Sequence, residues 1–352
     1  MNARMIQTAI LTTLLTMLLT VLVSPVAAEN SKPAKGQWLH LKGATGPGAG
    51  KHVVFVTGEE YYRSEEGMPM FAKILSRRHG FDCTVLFSID PETGYINPNK
   101  SHHIPGLESL ASADLLVLFI RFRELPDADM KHIADFVDAG KPVIGFRNAT
   151  HPFRYSANSS SAYASWDWHS KTWPGGFGQQ ILGDTWVSHH GKFQKEATLA
   201  RMNSQHRNHP VLQSVAAELF ARTDVNGVNK LTADDTVLFH GFVLPGLNRT
   251  DPPVTDGRNA SPMPWAWFKT YKAPSGKTGR SFCLTAGASL DWLEEDLRRL
   301  VVNAVYSLTG LEKKIPPSNN VDFVGAYEPS AFGSHTDKKW AALNLQPADF
   351  GR

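Results

Sequence analysis

The chain has 352 residues, 42% hydrophobic and 20% charged, with 36 Lys and Arg against 33 Asp and Glu for a formal charge of +3. That composition belongs to a globular protein and excludes collagen-like, low-complexity and disordered chains. So small a charge, with no dense Lys/Arg stripe, argues against nucleic acid as a partner; Arg77-Arg78 and Arg298-Arg299 read as solvated helix faces.

The N-terminus has Arg4, an uncharged apolar stretch over 6–23, and small residues at Val26-Ala27-Ala28 before Glu29. This layout reads as a secretory signal, residues 1–28, cleaved after Ala28. It predicts a secreted or periplasmic protein with no stable membrane anchor after cleavage. Residues 29–50, rich in Gly, Pro, Lys and Ala, read as a flexible lead-in.

From Lys51 the pattern alternates. Apolar runs at 52–58, 81–87, 114–120 and 141–146 are separated by helix-like stretches. Continuous apolar strands joined by helices imply a parallel sheet covered on both faces. The first helix is expected over 68–78, with Gly80 as its stop, a second after 87, and a third over 127–139. The fold class is therefore α/β: flavodoxin-like, mostly parallel, with helices on both faces and a long insertion after the fourth strand, about 152–232. Residues 179–187 and 197–203 are weak elements, and strands return at 236–243, 265–271 and 280–285. A helix over 290–308 carries Leu293, Leu297, Leu300, Val301, Ala304, Val305 and Leu308 on one stripe. The domain closes near 311, and 312–352 reads as an extended tail across its surface.

Ligands of such sheets bind beyond the carboxyl ends of the strands. That places Glu59, Glu60 and Arg63 after the first strand, Arg121 and Arg123 after the third, and Arg147, Asn148 and His151 after the fourth. Acids and fork-shaped donors at one rim suit an oxygen-rich small molecule, although Glu59, Glu60, Arg121 and Arg123 could equally pair with one another. A nucleophile turn would need Cys or Ser where Gly145-Phe-Arg147-Asn-Ala149 has arginine, so glutamine amidotransferase chemistry is excluded. Cys83 and Cys283 lie inside apolar runs and read as buried free thiols. The histidines His151, His189, His190, His206, His209 and His240 show no metal-ligand spacing, and no metal or other cofactor is expected. Trp166, Trp168 and Trp173 suit either sugar stacking or a local mini-core.

Several segments together resemble ThuA-like proteins of the class I glutamine amidotransferase-like superfamily: His52-Val-Val-Phe-Val-Thr-Gly58, Pro142-Val-Ile-Gly-Phe-Arg-Asn-Ala-Thr-His151, Ile181-Leu-Gly-Asp-Thr-Trp-Val-Ser-His-His-Gly191, His209-Pro-Val-Leu212, Pro262-Met-Pro-Trp-Ala-Trp267 and Lys277-Thr-Gly-Arg-Ser-Phe282. The resemblance covers roughly 51–311, and the tail at 320–333 is similar to that of the secreted bacterial group. It implies the fold without the nucleophile, and a link to trehalose and related disaccharides, including 3-keto sugars. Two departures stand out. Gly287-Ala288-Ser289 replaces the family's Gly-His-Asp, and Thr223-Asp224-Val225-Asn226 lacks its tyrosine.

The expected function is action on a carbohydrate, a keto-sugar or disaccharide, with His189, His190 or His151 in acid/base roles. Arg147, Asn148, Glu59, Glu60, Arg121 and His209 are the expected substrate-binding residues. A non-catalytic carbohydrate-binding or scaffold module is the first alternative, and a metal-dependent hydrolase the second. The active-centre reading requires 189–190 to fold back over the rim that carries Arg147.

Overall fold

The computed structural model describes residues 36–351; the segment 1–28 read as a signal lies outside them. The strands are β1 (Trp38–Leu41), β2 (His52–Gly58), β3 (Asp82–Leu86), β4 (Leu115–Ile120), β5 (Val143–Phe146), β6 (Thr198–Met202), β7 (Glu218–Ala221), β8 (Thr236–Val243), β9 (Met263–Lys272) and β10 (Thr278–Leu284). They form one sheet in the order β1-β3-β2-β4-β5-β10-β9-β8-β6-β7. The helices are α1 (Ser64–His79), α2 (Asp127–Asp138), α3 (Glu295–Leu308) and α4 (Asp337–Leu343).

The central strands are apolar on both faces because both faces are covered. Val53, Phe55, Val117 and Phe119 pack with Met68, Phe71 and Ile74 of α1 and Leu297, Leu300 and Ala304 of α3. Their neighbours Val54, Val56, Leu116 and Leu118 pack instead with Met130, Ile133 and Val137 of α2. Each such side chain contributes about 1.5–3 kcal/mol when fully buried, so a polar residue in either alternation would be costly. Gly80 ends α1 at φ 81° as expected, its N–H donating to the carbonyl of Leu75. Cys83 and Cys283 are buried free thiols.

Several expectations are corrected. The sheet is mixed rather than mostly parallel. Only β3-β2-β4-β5-β10 run parallel. A tight turn, closed by the Ala273 N–H on the Lys277 carbonyl, sends β10 back along β9, and β8, β6 and β7 continue antiparallel. The lead-in is not simply a flexible linker, since Trp38–Leu41 pairs antiparallel with β3. No helix joins β3 to β4; a single 3₁₀ stretch, Leu107–Ser112, stands there. The 290–308 helix starts later, at Glu295, and Leu293 is half exposed in the preceding 3₁₀ turn. Arg298 and Arg299 are buried rather than solvated. The stretch read as an insertion is irregular before β6 and then supplies β6 and β7 to the sheet.

Trp166 is buried against Phe153, Tyr163, Trp173 and Phe177, so this part of the aromatic segment is a mini-core. It supports the short turn Gly178–Leu182, where a side chain cannot be added. A Cβ on Gly178 would lie 1.9 Å from the Thr150 carbonyl oxygen, in the turn that ends at His151. Gly178→Ala should therefore destabilise the fold by about 1–3 kcal/mol, the range of an overpacked interior, read as a lowered denaturation midpoint.

Candidate functional site

Because β2, β4 and β5 are parallel and adjacent, the loops leaving their carboxyl ends share one rim. The order reverses there, since β3 lies on one side of β2 and β4 on the other. This is the crevice where open α/β sheets take ligands. It holds a pocket of about 220 Å³ lined by Tyr61, Tyr62, Arg121, Phe122, Asn148, His151, Trp186, His189 and Phe193.

Arg147 organises the region from behind. It occupies the sharp turn after β5 with φ 41°, a left-handed conformation costing about 1–3 kcal/mol in a residue with a side chain. Its guanidinium is wholly buried. Nη2 donates to Asp224 Oδ1 at 2.7 Å, and Nη1 donates to the carbonyls of Asp224 and Thr285, each at 3.0 Å. The Tyr62 ring lies 4.4 Å from the guanidinium carbon. Arg147 therefore holds protein atoms, and the expectation that it binds substrate oxygens is corrected.

Asp224 uses its other oxygen on His189, with Oδ2 2.6 Å from Nδ1. An ionised carboxylate only accepts, so Nδ1 carries a proton and donates, and Nε2 is the ring nitrogen that Asp224 does not engage. Burial would push the Asp224 carboxyl up, but Arg147 and the His189 contact outweigh it and hold the group below its usual range. His189 reaches this place because 188–191 pairs with 225–227. The N–H groups of His190 and Gly191 donate to the Val225 carbonyl at 2.8 and 2.9 Å, and Gly227 donates to Ser188 at 3.0 Å. The required fold-back of 189–190 over the rim is present.

His151 is buried among Phe122, Trp168 and Trp186, and burial followed by the nearby cations Arg121 and Arg147 holds it well below its usual pKa. It is a neutral imidazole, suited to hydrogen bonding. Asn148 Nδ2 donates to Glu59 Oε1 at 2.9 Å. Glu59 itself is fully buried and also accepts from the Tyr61 N–H at 2.9 Å and from the Tyr62 N–H. Burial, then the Glu60 charge, raises its carboxyl to about 7.

The remaining expected residues divide by position. Arg121 lines the pocket while donating from Nε, at 2.8 Å, and from Nη2 to Glu60. Glu60 is thus a partner of Arg121, and Arg123 is buried on the carbonyls of Pro98, Lys100 and Arg121. Glu59 and Glu60 stand outside the pocket lining and are bonded to the loops around it. His190 turns away, its Nε2 3.0 Å from the Arg258 carbonyl. His209 stacks on Phe268 and accepts from the Val211 N–H at 3.3 Å, so it is not part of the pocket.

The residues not foreseen are Asp224, Tyr61, Tyr62, Phe122, Trp186 and Phe193. Asp224 lies in a segment noted only for a missing tyrosine, and nothing local in Thr-Asp-Val-Asn pairs it with position 147. Gly287-Ala288-Ser289 also gains a purpose. The N–H groups of Gly287 and Ala288 donate to Asp291 Oδ2, each at 3.0 Å, and Thr223 Oγ1 donates to the same oxygen at 2.8 Å. Asp291 therefore ties the end of β10 to the residue preceding Asp224. Among the described residues no three His, Cys, Asp or Glu side chains converge to hold a metal ion.

Comparison with known proteins gives distant likenesses. A solved protein from Bacteroides uniformis named ThuA-like is 15% identical, with 78% of this chain and 96% of that one covered at a TM-score of 0.45. A second, from Parabacteroides merdae and also named ThuA-like, is 12% identical over 81% and 97%, at 0.47. A cytoplasmic protein from Salmonella typhimurium is 12% identical over 73% and 98%, at 0.40. No protein-family model matches the chain, and no curated protein matches it.

Two outcomes follow from this geometry. Asp224→Ala leaves a buried guanidinium without its carboxylate and should cost about 3–5 kcal/mol, measured by denaturant unfolding. Glu59 goes from the usual 4.5 to about 7 on folding, so the native state binds its proton more tightly than the unfolded chain. Its contribution to stability is complete below pH 4.5 and is lost as pH rises through 7. Glu59→Gln should flatten that part of the stability profile between pH 5 and 8, leaving the similar but higher contribution of Glu65, raised by burial to about 8.

Proposed function

We propose that this is a secreted or periplasmic ThuA-like protein that acts on a carbohydrate, a keto-sugar or a disaccharide bearing one, by proton transfer without a cysteine nucleophile. In this reading β3-β2-β4-β5-β10 is a flavodoxin-like, class I glutamine amidotransferase-like core. The segment 1–28 supplies the export signal. The observation that carries the chemistry is the Arg147–Asp224–His189 relay, which leaves one imidazole nitrogen free on the pocket.

His189 Nε2 takes a proton from the carbon beside a carbonyl, and the C–H electron pair moves into the carbonyl to give an enediolate. Asp224 stabilises the imidazolium that forms, as a carboxylate behind a histidine does. Arg121, the Asn148 amide and neutral His151 face the developing oxyanion. The imidazolium returns the proton to the neighbouring carbon on the same face, and the proton of the adjacent hydroxyl passes to the former carbonyl oxygen, which completes an isomerisation with atoms and charge balanced. Tyr61, Tyr62, Phe122 and Trp186 supply apolar walls for the C–H faces of a sugar ring. Both thiols are buried and pushed well above their usual pKa, which suits chemistry without a sulfur nucleophile.

The test is turnover of native and 3-keto disaccharides by the purified chain. His189→Asn should lower kcat by about 10²–10⁴-fold, the range for a general acid–base group, while His190→Ala stays within a few-fold of wild type. Calorimetric sugar binding with no turnover by the wild-type protein would replace this reading with the non-catalytic carbohydrate-binding module.

A further inference from the structure

The C-terminal tail runs over the back of the pocket. Its segment between the buried side chains Val321 and Trp340 has almost no regular structure until α4. At its start, Arg298 Nε donates to the Val321 carbonyl at 2.9 Å, and Arg78 donates to the carbonyls of Asp322 and Phe323 at 2.9 and 3.0 Å. Farther along, Arg63 donates to the Gly333 carbonyl at 2.5 Å and, at the end of the segment, lies 5.3 Å from the Trp340 ring. Asn97 and Asn99 hold Asp337 at 3.3 and 2.7 Å. The segment is a strap tied at both ends.

Its middle meets the functional loop. The Gly333 N–H donates to the Tyr61 carbonyl at 2.8 Å. The Phe332 ring lies 5.5 Å from Tyr62 and 6.1 Å from Tyr61, both of which line the pocket. From there two chains of contact converge on one imidazole. Tyr61 stands 5.1 Å from Phe193, which stands 5.0 Å from His189. Tyr62 lies under Arg147 at 4.4 Å, and Arg147 holds Asp224, which holds His189.

We propose that Phe332 is a positioning residue of this site, setting the Tyr61–Tyr62 wall and through it the orientation of His189. The strap has little core of its own to stabilise. Phe332 is only partly buried, so its removal releases the wall without threatening the main sheet. The proposal deepens the reading of the His189 pocket and rests on it for its kinetic arm alone.

The experiment compares Phe332→Ala, Phe332→Tyr and wild type, all full-length, by residue-resolved amide hydrogen exchange. In Phe332→Ala, exchange should rise about two- to tenfold, the range an aromatic contact carries, at Tyr61 and Tyr62 and also at His190 and Gly191. The last two do not touch Phe332; they hold the segment carrying His189 onto Val225. Amides of the β8–β9 ladder should stay unchanged, and Phe332→Tyr should restore protection. Where the wild type turns over a keto-disaccharide, Phe332→Ala should lower kcat more than it raises KM. Wild-type exchange at His190 and Gly191 in Phe332→Ala would overturn the proposal, whether or not any sugar is turned over. Absence of wild-type turnover with altered exchange would overturn the enzymatic reading and leave the strap standing.

Discussion

A buried guanidinium at a strained turn governs this molecule. Arg147 takes the sharp turn after a central parallel strand, and its charge has no access to water. A cation so placed persists only with a carboxylate and carbonyls around it. Asp224 and the end of β10 supply them. The long excursion between β5 and β10 must therefore bring residue 224 back under the rim, and the pairing of 188–191 with 225–227 comes with it. His189 stands at the pocket because the arginine behind it demands a partner.

The same economy shows in the acids of the rim. Glu59 and Glu60 sit one residue apart and differ entirely in surroundings. Glu60 is shared between Arg121 and Arg123, whereas Glu59 is sealed beneath the loop, accepting from two backbone N–H groups and Asn148. Neither lines the pocket. They fix the loops so that Arg121 and Asn148 present their remaining faces to the pocket. Asp291 repeats the pattern on the far side, anchoring Thr223 beside Asp224. The chemistry proposed for the pocket thus rests on carboxylates that never reach it.

What was legible in the sequence is the local part. The runs 53–56 and 115–120 are apolar at every position because helical layers cover both faces, and their identity as strands is visible without partners. Asn148, His151, Arg121 and His189 lie near strand ends or in a polar segment, so a rule about strand ends reaches them. Arg147, Glu59 and Glu60 lie in the expected loops but outside the pocket lining, since chain position does not tell a lining residue from one beneath it. His190 and His209 have the same chemistry as His189; adjacency and composition cannot say which ring turns inward. The strap illustrates the limit most clearly, because a Pro-, Asn- and Ser-rich stretch carries no periodicity to show where it docks.

The sequence by itself determined an α/β architecture, the absence of a nucleophile at the turn after β5, and the rim on which a site would stand. These follow from hydrophobic period and residue type, which act over a few neighbouring positions. Only the tertiary structure decided that β6 to β9 complete the sheet in antiparallel fashion, that Arg147 pairs with Asp224, and that Asp224 holds His189. Those facts depend on contacts between positions separated by tens of residues, chosen by burial and charge neutralisation, which no local pattern encodes.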